Sequence, residues 1–247
     1  MSVVGATRVP ARPGTLASLG ALYRLLLRTQ ITVLRLLGIG TLSALSILLG
    51  LFARLDDNSA QAAADHVSAF GLGILVPLAM LWFGTSAIGD LVEDKLLVYL
   101  SLKPVPRWQL PAAAMLATVS IVVPLTALPL TASALVAGAA DVAWATFLAA
   151  SLAALAYSGL FVAAGLWFRR AVWWGLAFVL IWENVAAYST EGRFTVFGWA
   201  CSVLGLAPGI DVEVEAGSAA AAFVVLAAMA IAAWLAATWR YRRADVD

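Results

Sequence analysis

Three stretches of the chain hold residue types that could do chemistry. The first reads Asp90-Leu-Val-Glu93-Asp94-Lys95 and continues through Tyr99, Lys103, Pro104 and Pro106 to Arg107. Taken as a helix from Asp90 to about Leu102, it groups Asp90, Glu93 and Asp94 at i, i+3 and i+4 on one face and Val92, Leu96, Tyr99 and Leu100 on another. Carboxylates in a first turn complement the helix dipole, and Pro104 and Pro106 end the helix before Arg107 and Trp108. Such a segment is either a solvated charged loop or an amphipathic helix that docks on a soluble partner. The second stretch is Leu180-Ile181-Trp182-Glu183-Asn184, which sets one carboxyl deep inside an apolar run. An acidic group at the centre of a membrane helix costs on the order of 2.5–3.5 kcal/mol on insertion scales, so Glu183 is expected to face the protein interior or a wet cavity. It either lines or gates a substrate path or subunit interface, or makes a structural interhelical hydrogen bond, with Asn184 or a neighbouring hydroxyl as the expected partner.

The third stretch, Ala156-Tyr157-Ser158-Gly159, is one residue from a Gly-x-Ser-Gly motif. A serine nucleophile needs a base, and the single histidine, His66, falls in an expected loop. One His and one Cys also exclude a His-Glu-x-x-His zinc site or a thiolate metal cluster, and Cys201 reads as a small packing residue. Neither Lys95 nor Lys103 follows a glycine, so the chain has no Walker A loop and no nucleotide site of that kind. The expectation is a protein that is not an enzyme and carries no cofactor of its own.

The elements that must position these residues are apolar. The 247 residues are 63% hydrophobic and 12% charged, with mean hydropathy +0.96, against about 45–50% apolar and about 25% charged in soluble domains. Six runs are long enough to cross a bilayer: 31–53, 67–89, 110–137, 143–168, 172–190 and 218–239. The expected fold is therefore all-α, a polytopic membrane protein with six transmembrane helices. The third run holds Pro124 and Pro129 and is expected to kink or tilt. Residues 1–30 carry an amphipathic stretch, Thr15 to Gln30, with Leu16, Leu19, Tyr23, Leu26 and Leu27 at helical spacing and Arg24 and Arg28 together. It reads as an interfacial helix, or else as an early start of the first span. Asp56 to Asp65 reads as a solvated loop, Phe194 to Ala207 as an external re-entrant segment too short to span, and residues 240–247 as a tail. Of fifteen Lys and Arg residues, thirteen fall on one side of this layout, leaving Arg54 and Arg193 on the other. The basic side is the expected cytoplasmic side, with both termini in the cytoplasm of a cell (inner or plasma) membrane protein.

On these residues the chain resembles the permease subunits of type 2 ATP-binding-cassette exporters. Glu93 and Asp94 match that family's acidic cluster, Leu97, Leu100 and Leu102 its leucine-rich turn, and Pro104-Val105-Pro106-Arg107 its Pro-x-Ser-Arg-like end. The departures are Lys95-Leu96 in place of Gly-Thr and Pro106 in place of a small hydroxyl residue. Leu180-Ile181-Trp182-Glu183 is similar to a Leu-Leu-Trp-Glu stretch of many bacterial members. The resemblance implies that residues 90–107 couple to two copies of a cytoplasmic ATPase subunit, which would hold ATP and magnesium. It also implies a second permease copy or a related permease as partner, with no nucleic acid involved. The alternatives are a stand-alone secondary transporter or channel and a non-transporting membrane scaffold.

Overall fold

The computed structural model describes residues 15–93 and 106–243, with residues 90–93 as helical backbone only. Among the described residues the elements are helical. Helix α1 is Thr15–Gln30, α2 Val33–Ala53, α3 Ser59–His66, α4 Val76–Glu93, α5 Gln109–Val136, α6 Ala140–Trp167, α7 Ala171–Ala177, α8 Ala187–Ser189, α9 Val196–Leu204 and α10 Ala219–Arg243. Two wide-turn π segments, Val67–Leu75 and Phe178–Ala186, join α3 to α4 and α7 to α8. Six stretches are long and apolar enough to cross a membrane: Val33–Ala53, Ser59–Gly89, Gln109–Val136, Ala140–Trp167, Ala171–Ser189 and Ala219–Arg243. The protein is a multi-pass membrane protein built from them.

The second span begins earlier than hydropathy alone implies. Residues 59–66, expected as part of a charged loop, are helical because Asn58 caps them, its side-chain oxygen accepting from the Gln61 amide at 3.3 Å, and because alanine dominates the turn. His66 thereby sits on a helix, half-buried, with Nε2 3.1 Å from the Ser46 hydroxyl and its ring stacked on Phe70.

Helix α6 is the hub of the bundle. It packs on α4, α5, α9 and α10, and its inward side is largely alanine, from Ala143 through Ala156, with Gly159 and Gly165 beyond. In lipid, where burial of apolar surface drives little helix association, small residues let backbones close up and gain dispersion contacts. A methyl added at Gly159 would sit 2.9 Å from Ala233 Cβ and 3.0 Å from the Ala230 carbonyl, so α6 and α10 touch backbone to backbone there. The second and fourth spans are mostly buried, 61% and 56%, while the first, fifth and sixth are 28%, 33% and 22% buried and form the periphery.

Pro124 and Pro129 lie inside the continuous helix α5. Pro129 has no N–H for the Leu125 carbonyl four residues earlier. Ser43 of α2 fills that gap, its hydroxyl donating to the Leu125 oxygen at 2.6 Å. A helix-breaking residue thus becomes the point where two spans are joined, as a medium without water requires.

Helix α1 ends at Gln30 and a short break precedes α2, so it is a separate element. Leu22 and Leu26 are buried, whereas Leu16, expected on the apolar face, is 84% exposed. Polar contacts fix α1 along α5: Ser18 donates to the side-chain Oε1 of Gln109 (2.7 Å), Gln109 Nε2 donates to the Thr15 backbone carbonyl (2.9 Å), and the hydroxyls of Tyr23 and Ser120 meet at 3.1 Å.

Candidate functional site

The most elaborate polar arrangement is built around Glu183, in the π segment of the fifth span. After α8 the chain reverses at Thr190-Glu191-Gly192-Arg193. Glu191 and Gly192 both adopt left-handed backbone, with φ of 53° and 71°, and the Gly192 amide reaches back to the Ala187 carbonyl at 2.8 Å. This 6→1 bond is the usual helix C-terminal closure. Glycine is required at 192 twice over, because its Cα also packs directly on the backbone of Gly198 in α9.

The returning chain starts α9 with Thr195 as N-cap. Its hydroxyl oxygen accepts from the Gly198 amide (3.0 Å) and donates to the Gly192 carbonyl (2.9 Å). Two further first-turn amides have no partner within α9, and Glu183 supplies it: Oε1 accepts from Val196 N at 3.3 Å and Oε2 from Phe197 N at 3.0 Å. The side chain is 2% exposed. A carboxyl group against a helix N-terminus is favoured by both the unpaired amides and the dipole.

Trp182, the preceding residue, completes a two-sided grip. Its indole N–H donates to the Phe194 carbonyl at 3.3 Å, and Trp199 Nε1 donates to the Arg193 carbonyl at 3.0 Å. The reversed segment therefore has its amides held by a carboxyl and its carbonyls by indoles. Asn184 does not reach Glu183; its amide donates to the Val179 carbonyl five residues earlier at 3.0 Å, within the wide turn. Trp182 is half exposed on the outer side of the fifth span.

Behind the carboxyl stand Tyr157 and Cys201. Tyr157 is fully buried, stacked on Phe161 at 5.7 Å, and its hydroxyl faces the Glu183 carboxyl. Cys201 is buried in α9; burial first, and Glu183 second, push its thiol well above the usual range. Ser202 closes the far side, its hydroxyl accepting from the amides of Ala216 and Gly217 at 3.0 and 3.3 Å. The Glu183 and Trp182 bonds tie the N-terminus of α9 to side chains of the fifth span. Thr195, Gly192 and Gly198 escaped sequence reasoning, although Thr195 three residues before Gly198 follows the N-cap pattern.

At the opposite end of the bundle lie the residues of the acidic segment. Helix α4 runs unbroken to Glu93, so Asp90 and Glu93 sit on a helical extension of the second span. Asp94, Tyr99 and Pro104 lie outside the described residues. Arg107 is described: Nη1 donates to the Arg242 carbonyl at 2.7 Å, covering a carbonyl in the last turn of α10. Trp234 of α10 and Trp108 pack edge to face at 6.3 Å beside it. Ser158, the possible nucleophile, donates to the Leu155 carbonyl of its own helix at 2.7 Å. Among the described residues no group of three His, Cys, Asp or Glu side chains could hold a metal ion.

The chain matches no family model. Nor does any curated protein show significant similarity to it. Its function has to be read from its own geometry and from the motif resemblance.

Proposed function

We propose that this chain is the membrane-spanning permease subunit of an exporter driven by ATP hydrolysis in a separate soluble ATPase. The observation that carries the reading is the continuity of α4. One uninterrupted helix leads from Val76, inside the membrane stretch, to Glu93, four residues past the end of the apolar span at Gly89. At a rise of about 1.5 Å per residue, the extension puts Asp90 and Glu93 up to roughly 6 Å beyond the apolar stretch on a rigid rod. A push on these carboxylates is a push on the second span, which packs on α5 and α6.

The charge distribution supports the sidedness. Arg24, Arg28, Arg35, Arg107, Arg169, Arg170, Arg240, Arg242 and Arg243 belong to the end that carries α1 and the acidic segment, whereas Arg54 and Arg193 belong to the end that carries α9. By the excess of Lys and Arg on cytoplasmic loops, the first end faces the cytoplasm of a cell membrane and both termini lie there. ATP and magnesium belong to the ATPase. Two permeases, identical or related, enclose the path, and residues 90–107 form the docking element.

The partner to co-express is a soluble ATPase with Walker motifs, sought first beside this chain's own gene. Glu93→Lys combined with Asp94→Lys abolishes its co-purification and its stimulation; undiminished co-purification and stimulation would overturn the assignment.

A further inference from the structure

A crevice of roughly 1270 Å³ opens on the flank of the bundle at its cationic end. It is larger than the roughly 300–1,000 Å³ of a typical small-molecule pocket. Its back wall is the second span, with Trp82, Thr85, Ser86 and Gly89, and the fourth, at Gly165. Arg35 of the first span lines it as well, together with Phe168 to Arg170 between the fourth and fifth spans and the first turn of the fifth span as far as Trp174.

The chemistry of the lining is split. It also presents rings: Trp173 is 70% exposed and Trp174 63%, the latter packed on Phe168 at 5.9 Å. The consecutive Arg169 and Arg170 stand there too, both exposed, and their guanidinium groups make no hydrogen bond or ion pair among the described residues. Among the described lining residues there is no carboxylate. The hydroxyl hydrogens of Thr85 and Ser86 are already given to carbonyls of their own helix, at 2.6 Å to Leu81 and 3.0 Å to Trp82. Among the described lining residues the cationic donors left to recognise a ligand are therefore the guanidinium groups of Arg169 and Arg170, with indole N–H groups beside them.

We propose that this crevice binds one anionic glycerophospholipid from the surrounding leaflet. Its phosphate lies against Arg169 and Arg170, with an acyl chain running along Trp173 and Trp174. Planar guanidinium forks match phosphate oxygens in paired hydrogen bonds, and tryptophan rings favour the boundary between headgroup and hydrocarbon. Basic pockets between membrane helices at the cytoplasmic face are suited to such headgroups. The split lining also separates this occupant from a soluble anion, which would have no use for the exposed rings. The inference concerns binding alone and stands whether or not the chain transports anything with an ATPase.

The test is native mass spectrometry of the whole chain released from phosphatidylcholine nanodiscs containing phosphatidylglycerol. Wild type is expected to retain one phosphatidylglycerol. Arg169→Gln with Arg170→Gln is expected to weaken retention roughly 30-fold, about fivefold for each arginine. Arg242→Gln with Arg243→Gln, at the same end but outside the crevice, is the control and should leave retention unchanged. Circular dichroism confirms that each variant is folded. Equal loss in both pairs would reduce the effect to general surface charge, and no loss in the Arg169/Arg170 variant would remove the site. Competition by soluble glycerol phosphate as effective as by the lipid would make it a free-anion site; each of these outcomes overturns the proposal.

Discussion

Replacing Glu183 by glutamine exchanges one carboxyl oxygen for an NH2 and should loosen α9 and the turn before it. In the native arrangement both carboxyl oxygens accept, one from Val196 N and one from Phe197 N. Glutamine keeps one acceptor and turns an NH2 toward the other amide, so donor faces donor. An unsatisfied buried N–H costs roughly 1–3 kcal/mol, and losing an anionic group from a partly buried helix N-terminus costs up to about 2 kcal/mol. Together these give a loss of about 1–5 kcal/mol, about 3 at the middle of the range. At roughly 2–4 °C per kcal/mol for chains of this size, the melting temperature in detergent should fall by about 5–15 °C. Glu183→Ala leaves both amides unpartnered and adds a cavity, so it should fall further. Asn184→Ala, whose bond stays inside its own turn, should move little and serves as the control. Limited trypsin digestion reports the same event locally, since undocking α9 frees the backbone around the already exposed Arg193 to enter a protease site. If the glutamine and alanine variants both melt within about 2 °C of wild type and resist trypsin equally, the capping argument is wrong.

Three further outcomes follow from particular contacts. Ser43→Ala removes the donor to the Leu125 carbonyl and should cost about 0.6–1 kcal/mol; in a Pro129→Ala background, where residue 129 regains its N–H, thermal melting should show that cost disappear. Glu191→Gly relieves a left-handed backbone at φ 53° and should raise stability by roughly 0.5–1 kcal/mol, since the exposed pair it forms with Arg193 contributes little; a lower melting temperature would contradict this. Cys201 is buried and its thiol is pushed up, so the folded chain should resist maleimide at pH 8. Arg242→Cys and Arg193→Cys should then react from opposite sides of a sealed vesicle, giving the orientation directly; labelling from the same side would contradict the six-span layout.

Much of the architecture was legible because a bilayer permits few solutions. Six apolar runs separated by turn residues and cations give six spans, and the burial of Glu183 follows from the cost of leaving a carboxyl in hydrocarbon. What the sequence concealed depends on partners distant along the chain. The capping of α9 by Glu183 rests on a reversal at Glu191 and Gly192 that brings residue 196 back to residue 183, and no local periodicity encodes that approach. The helical start at Ser59 was hidden by Asp56, Asp57 and Asp65, whose charge reads as loop, although Asn58 and the alanines after it favour a capped helix. Pro129 signalled a kink, but the serine that satisfies the freed carbonyl lies on another span. The crevice was invisible for the same reason: Arg35, Gly89 and Arg169 become neighbours only when the helices pack.

The central claim is that ATP hydrolysis in a separate subunit acts on this chain through the extension of α4 and the acidic residues that follow it. The most direct measurement is the ATPase rate of the purified partner in vesicles with wild-type chain and with the Glu93→Lys, Asp94→Lys variant, both checked for folding. Stimulation by wild type and its loss in the variant is the predicted result; a rate independent of the chain, or equal stimulation by both, would contradict the account.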